Sequence, residues 1–207
     1  MRHRSRDEVD ARLPSLVTLK VRRGIGSLRN GRVAREVEAS FREACERGDF
    51  RLVHYSIQED HAHLLVEADD KDALGRGMKA LSSRFARAVN RTLRRTGKVL
   101  AERYHLKVLE SPRQVRNALA YVLLNARRHA AKHIARLRKQ GMAVKPLASA
   151  RQLDAFSSAR WFDGWRGDVK VDPSPSPVAQ PRTWFLLTGW RRHPLLDPSE
   201  IPGGAHP

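Results

Sequence analysis

Apolar and polar residues alternate in four stretches of the chain, a pattern with a period of two residues that is typical of half-buried β-strands. The predicted strands cover residues 16–21, 50–57, 61–68 and 104–109. Only the polar residues Gln58, Glu59 and Asp60 separate the second strand from the third. Such a short connection predicts an antiparallel hairpin.

Three longer stretches carry apolar residues three and four positions apart, which predicts amphipathic helices. The first covers about residues 31–47, and the second covers about 74–93, with a stop at Gly97. The third begins at Ser111 and Pro112, where a capping box with proline in the first helical position marks a helix start. It continues to about Lys139. The predicted element order is therefore β-α-β-β-α-β-α.

The charge balance indicates the class of partner. The 207 residues carry a formal net charge of +18 at a pI of about 11.2, which favours a polyanion, nucleic acid rather than membrane. Cys45 is the only cysteine, which excludes a disulfide framework and a thiolate metal cluster. Without an apolar leader or a membrane-spanning run, we expect a cytoplasmic protein associated with the nucleoid.

Composition divides the chain into three predicted parts. Residues 1–14 are charged and are expected to be flexible, residues 15–141 form the main folded domain, and residues 142–207 form an irregular extension rich in proline and tryptophan. Indole rings beside arginine suit stacking on unpaired bases. The alternative, which we favour from the sequence, is that the extension attaches itself to the domain by burying its tryptophans.

A His-Ala-His sequence lies in the third predicted strand. Because side chains alternate across a strand, His61 and His63 are expected to project from the same face. Two imidazoles two residues apart on a rigid strand can converge on one divalent metal ion. The alternative is a pair of partly buried polar residues without a ligand role.

The third predicted helix carries a second candidate group. At 100° per residue, Tyr121, Asn125, Arg128 and Lys132 fall on one flank of its apolar face. A tyrosine in this position can reach a site between helix and sheet. The alternative is an amphipathic tyrosine whose hydroxyl points into water.

Basic residues are concentrated after residue 84. Eight Arg or Lys and one acid, Glu102, lie between residues 84 and 107. A solvated helix face normally mixes charges of both signs, so this excess favours a surface that follows a phosphate backbone. The predicted DNA-binding residues are Arg84, Arg87, Arg91, Arg94, Arg95, Arg103, Arg127, Arg128 and Lys132.

Together these features resemble the HUH single-tyrosine transposases, which comprise the small insertion-sequence enzymes and the REP-associated tyrosine transposases. His61-Ala62-His63 matches the His-hydrophobic-His motif, and Tyr121 to Asn125 matches the tyrosine helix. Arg103-Tyr104-His105 before the last strand is also similar. The resemblance covers about residues 15–135. Asp60 and Ala126 depart from the family pattern, in which a small amide and often a proline occupy these positions.

The resemblance implies an α+β, ferredoxin-like (RRM-like) fold, a four-stranded antiparallel sheet with helices on one face. It also implies that Tyr121 attacks a DNA phosphate to form a 5′-phosphotyrosine and a free 3′-OH. His61, His63 and Asn125 would bind Mg²⁺ or Mn²⁺. The implied partner is single-stranded DNA with hairpin or palindromic elements, and both a monomer and a homodimer are compatible with it.

Two other functions are compatible with the sequence. A catalytically silent nucleic-acid-binding protein could use the sheet as a platform, although the strands lack the paired aromatic residues on which RRM sheets depend. A metal-dependent nuclease could use water in place of Tyr121. It would leave no covalent protein–DNA adduct.

Overall fold

The structure is a computed structural model that describes residues 9–145 and 152–203. Residues 1–8, most of the N-terminal segment expected to be flexible, lie outside the described residues, as do 146–151 and 204–207. None of the helices in the described ranges is long and apolar enough to cross a membrane.

The centre of the molecule is an antiparallel sheet with the strands β1 (Ser15–Lys20), β2 (Glu46–Arg47), β3 (Phe50–Ile57), β4 (His61–Ala68) and β5 (His105–Val108). Their order across the sheet is β2-β3-β4-β1-β5. The four predicted strands and the β3–β4 hairpin are confirmed. The two-residue β2 is an addition, so the sheet has five strands instead of the expected four.

Two helices cover one face of this sheet, here called the helix face. They are α1 (Gly31–Arg42) and α2 (Lys71–Thr92), and they pack on the inward side chains of β1, β3 and β4 around Phe41 and Phe85. Asn30 and Asp70 cap them by accepting backbone N–H hydrogen bonds. The first helix ends five residues before its predicted end because the chain turns back into β2.

The opposite face of the sheet, here called the site face, carries a third helix. α3 (Pro112–Leu123), capped by Ser111, buries Val115, Leu119 and Val122 against Leu65 of β4 and neighbouring side chains. The expectation that helices cover one face only was therefore wrong, although the α+β class and the antiparallel sheet are confirmed. Helices α1 and α2 already cover the helix face, so the apolar stripe of α3 is buried on the other side.

The prediction that the third helix is continuous was also wrong. It breaks at Leu124, whose φ of −111° and ψ of 16° are not helical, and continues as α4 (Asn125–Lys139). Only Asn125 is buried in α4, whereas α3 buries seven residues. After the break the chain therefore turns away from the sheet and exposes its basic side chains.

The described part of the extension, residues 152–203, packs on the site face next to α3. It contains short helical turns at Ser158–Trp161 and Gly189–Arg192 and the four-residue α5 (Trp184–Leu187). Trp165 and Trp190 are buried in this second core, as expected if the extension attaches itself to the domain. Trp184 remains 44% exposed.

Candidate active site

The two histidines of β4 lie side by side on the site face. The alternation of β4 places Ala62 and Leu64 in the core under α1 and α2, and it directs His61 and His63 to the other side. Their Nε2 atoms are 3.0 Å apart, and their ring centroids are separated by 4.6 Å. The two imidazoles therefore converge, as predicted.

A hydrogen-bond partner at Nδ1 orients each imidazole. Asp60 Oδ1 lies 2.7 Å from Nδ1 of His61, and Thr18 Oγ1 lies 3.0 Å from Nδ1 of His63. When Nδ1–H donates to these oxygens, the lone pair of each ring is on Nε2, the atom that faces the other histidine. The hydrogen bond from His61 is also the largest cause that lowers the pKa of Asp60.

Burial keeps the inner histidine neutral. Desolvation is the largest cause that lowers the pKa of His63 to about 3, and the neighbouring His61, His129 and Arg128 lower it further. The pKa of His129 on α4 is lowered mainly by desolvation and then by His61, whose ring centroid lies 6.1 Å away. A neutral imidazole is the form that binds a metal ion, so His63 is ready to bind one at neutral pH.

Tyr121 lies in the last turn of α3, directly over this pair. Its hydroxyl oxygen is 3.1 Å from Nε2 of His63, and the two ring centroids are 4.7 Å apart. The guanidinium of Arg128 lies 5.2 Å from the centroid of the Tyr121 ring. The structure therefore brings together the predicted pair of histidines and the predicted tyrosine, together with one predicted DNA-binding arginine.

The other two tyrosines lie on the helix face of the sheet. Tyr55 is fully buried there and donates a hydrogen bond of 2.6 Å to Glu38, and burial raises its pKa. Tyr104 packs against the core under α1 and α2. The chain has three tyrosines, and Tyr121 is the one whose hydroxyl contacts His63.

Asn125, the third predicted ligand, follows the break at Leu124 and is completely buried. Neither polar atom of its side chain has a hydrogen-bond partner in the structure. Leaving a buried amide unpaired costs about 1–3 kcal/mol, so such a group normally has a partner or a ligand. Its carbonyl oxygen is therefore chemically available to a cation, although the structure shows no contact between Asn125 and the histidines.

The donor set suits a hard or borderline divalent cation. Two neighbouring ligands at about 2.1 Å from an octahedral ion lie about 3.0 Å apart, which matches the separation of the two Nε2 atoms. Within the described ranges, no group of three or more His, Cys, Asp or Glu side chains is arranged to hold a metal. A metal bound by His61 and His63 would therefore need an amide, water or phosphate oxygen to complete its shell.

The predicted DNA-binding residues fall into two groups. Those of α2 and the turn after it, Arg84 to Arg95, lie on the helix-face side, where Arg91 pairs with Glu36 at 2.7 Å. Arg103 is exposed in the loop before β5. The backbone N–H of Ala101 in the same loop donates to the carbonyl oxygen of Lys20, which lies opposite His61 in the pairing of β1 with β4. Arg128 contacts Tyr121, Lys132 is exposed on α4, and Arg127 donates to the Ser199 carbonyl oxygen.

Sequence reasoning missed three residues of this site. Asp60 was treated only as a departure from a family pattern, and Thr18 and His129 were not identified. The position of Asp60 next to a candidate ligand is a local signal for its orienting role. The contact of Thr18 with His63 depends on β1 pairing with β4, which no local pattern encodes.

A comparison with models of protein families identifies the family of this chain. The model described as "Transposase IS200 like" matches residues 15–123, more than half of the chain. The chain belongs to the IS200-like transposase family. The matched segment begins at β1 and ends with α3, so it includes both histidines and Tyr121. A search of curated proteins gave no match.

Two solved structures are similar to this IS200-like transposase. A REP-associated tyrosine transposase bound to a REP hairpin is similar with a TM-score of 0.51 at 12% identity, over 62% of this chain and 74% of that one. A candidate transposase from Deinococcus radiodurans R1 gives a TM-score of 0.40 at 14% identity, over 70% of this chain and 99% of that one. The first similarity supports the α+β fold.

Proposed function

We propose that this transposase-family protein cleaves and rejoins single-stranded DNA at sites that contain hairpins, through a 5′-phosphotyrosine on Tyr121. The observation that carries this proposal is the contact between the Tyr121 hydroxyl and His63, whose Nε2 in turn faces Nε2 of His61. This contact places the hydroxyl nucleophile next to an imidazole that would hold an activating metal ion, an arrangement that covalent catalysis uses.

The proposed reaction conserves the phosphoester bond energy. The hydroxyl oxygen of Tyr121 forms a bond to phosphorus, and the bond from phosphorus to the 3′ oxygen of the preceding nucleotide breaks. The phenol proton is transferred to the leaving 3′ oxygen, which departs as a free 3′-OH. Attack by a 3′-OH on the phosphotyrosine reverses these steps, so rejoining needs no external energy source.

His61, His63 and the carbonyl oxygen of Asn125 would hold a divalent ion, Mg²⁺ or Mn²⁺. Held there, such an ion would neutralise charge on the phosphate and make it a better electrophile. Asp60 and Thr18 keep the imidazoles oriented, and burial keeps His63 unprotonated. Arg128, over the Tyr121 ring, adds positive charge where the phosphate must lie.

We propose that the DNA contacts both sides of the sheet. Lys20, His105 and Lys107 are exposed and alternate onto the same face as His63, so they suit the single strand that reaches Tyr121. The arginines of α2 lie on the other side. They suit a more distant part of the substrate, such as the hairpin stem, whose phosphates they would contact without taking part in cleavage.

An end-labelled oligonucleotide pool tests this function. Each strand contains a fixed hairpin flanked by randomised bases and is incubated with protein and Mn²⁺, then separated on a denaturing gel. We expect 3′-labelled strands to migrate as a protein adduct and 5′-labelled strands to be shortened, with both products absent for Tyr121→Phe. Cleavage without an adduct would indicate a nuclease that uses water, and binding without cleavage would indicate a silent binding protein.

A further inference from the structure

A cleft of about 480 Å³ lies between α3 and the end of the described extension, and Tyr121 is part of its lining. One wall is polar and is formed by the exposed residues Arg113 and Asn117. These residues precede Tyr121 by eight and four positions, so all three share one stripe of α3. A group bound along this stripe would therefore lie next to the tyrosine.

The opposite wall of the cleft is largely apolar and comes from the extension. Pro194, Ile201 and Pro202 line it, and Ile201 is 38% exposed. Flat apolar surfaces of this kind suit the face of a nucleobase. The amide of Asn117 across the cleft can both donate to and accept from the edge of an unpaired base.

Buried contacts hold the apolar wall in place. Arg116 of α3 donates to the Pro194 carbonyl oxygen at 3.2 Å and to the Glu200 carboxylate at 2.6 Å, and its side chain is only 10% exposed. Leu196, between them, is completely buried. Arg116 neutralises the charge of Glu200. The positive charge of Arg113, on the wall formed by α3, therefore remains available to a bound group. The wall is thus part of the folded structure.

From this geometry we propose that the cleft binds one nucleotide of the single strand, the one next to the phosphate that Tyr121 attacks. Asn117 contacts the edge of its base, the wall at Ile201 contacts its face, and Arg113 contacts a neighbouring phosphate. Asn117 is then a residue that determines sequence specificity, and the extension contributes to substrate selection. This inference rests on the proposed function, because it places the nucleotide relative to the cleaved bond.

The hairpin pool with randomised flanks tests the cleft by binding as well as by reaction. Strands retained on a filter by Tyr121→Phe are sequenced and compared with those retained by Tyr121→Phe/Asn117→Ala. We expect Tyr121→Phe to enrich one base about tenfold at a single flanking position and the double variant to lose that enrichment. Tyr121→Phe/Gln140→Ala, which removes an exposed amide at the end of α4, should keep it.

Sequencing of the strands in the wild-type adduct locates the cleaved bond. The inference holds if the position that depends on Asn117 is next to that bond. It is overturned if the bases enriched in the bound pool are the same with and without Asn117, or if the dependent position lies elsewhere. Binding that depends on Asn117 without any adduct would refute the proposed chemistry while retaining the cleft as a nucleotide site.

Discussion

At the scale of single residues, the candidate site depends on the atoms behind the two imidazoles. Asp60 and Thr18 contact the Nδ1 atoms, and these contacts direct the Nε2 atoms toward each other. Two lone pairs that converge at 3.0 Å attract a cation or share a proton. Asn125 adds a buried amide that has no hydrogen-bond partner among the described residues. The site therefore combines ready donors with a stability cost that a ligand would relieve.

Replacing Asn125 by leucine tests this cost. Because the substitution removes an unpaired buried amide and keeps the same branched shape and number of heavy atoms, we expect Asn125→Leu to stabilise the protein in EDTA by about 1 kcal/mol. Chemical denaturation measures the change. We expect Mn²⁺ to raise the Tm of the wild type, and the variant should lack this rise.

Asn90 is the matched control, because its side chain is hydrogen-bonded to the Gly97 carbonyl oxygen and to Arg95. Asn90→Leu should destabilise the protein and retain the response of the Tm to Mn²⁺. A loss of stability in Asn125→Leu together with an intact Mn²⁺ response would exclude Asn125 as a ligand.

His54 gives the free energy of unfolding a defined pH dependence. Desolvation lowers its pKa to about 4, whereas an unfolded histidine titrates near 6.5. Between these values the unfolded state binds more protons, so stability falls as the pH decreases from 6.5 to 4. His54 should account for about 2 kcal/mol of the loss between pH 6.5 and 5.

His54→Asn removes the titrating group and keeps an amide that can bond Ser158, the partner of Nδ1. Denaturation curves at pH 6.5 and 5 should therefore show a smaller loss of stability for the variant. Equal losses for the two proteins would mean that water reaches His54.

At the scale of elements, local periodicity predicted the strands and helices, because each pattern records which side chains one segment buries. It did not predict which face of the sheet α3 covers, since that depends on where α1 and α2 pack. Nor did it predict the break at Leu124, where neither glycine nor proline marks the end of a helix. The candidate site shows the same difference between features that a local pattern predicts and contacts that depend on the fold. Its histidines and tyrosine stand out in the sequence, whereas the contact of Thr18 with His63 comes from strand pairing.

Glu67 is one of the residues that join the extension to the sheet. It is 1% exposed, it accepts from Arg51 Nε at 3.1 Å, and the backbone N–H groups of Arg182 and Thr183 donate to it at 2.8 Å. Glu67→Ala takes the nearest carboxylate from the buried Arg51, whose remaining acidic neighbour, Asp69, is 3.9 Å away. It also removes the acceptor of two backbone N–H groups, so we expect a loss of roughly 3–5 kcal/mol in unfolding free energy. Hydrogen exchange should increase in residues 182–190.

Glu46→Ala is the control for this change, because it breaks the exposed ion pair with Arg182 and should cost about 1 kcal/mol or less. If both variants lose the same small amount, Glu67 does not hold the extension in place.

At the scale of the whole molecule, the positive charge is distributed over both sides of the sheet. The formal net charge of +18 includes the α2 arginines on one side, and Arg128 beside Tyr121 and Lys132 further along α4 on the other. Arg128 can assist cleavage directly, because it contacts Tyr121. The first group can add affinity for a polyanion, which depends on the number of phosphates neutralised.

Removing two exposed arginines from the α2 side should therefore separate affinity from chemistry. For Arg87→Ala/Arg94→Ala we expect weaker DNA binding and a slope of log K against log[salt] that is less negative by about 1.5, measured by fluorescence anisotropy with the hairpin pool. The yield of adduct at saturating DNA should be unchanged.

Arg166→Ala/Lys170→Ala removes the same charge from the extension and should leave the slope nearly unchanged. If both double variants make the slope less negative by the same amount, net charge alone determines binding, and α2 makes no phosphate contacts.

The most direct test of the central claim is to identify the atom that is linked to DNA. The adduct is isolated under denaturing conditions and digested with nuclease and protease, and the peptides are sequenced by mass spectrometry. The account predicts a nucleotide 5′-phosphate on the Tyr121 side chain in the peptide from α3. A phosphate on Tyr55 or Tyr104, or DNA released without any modified peptide, would contradict it.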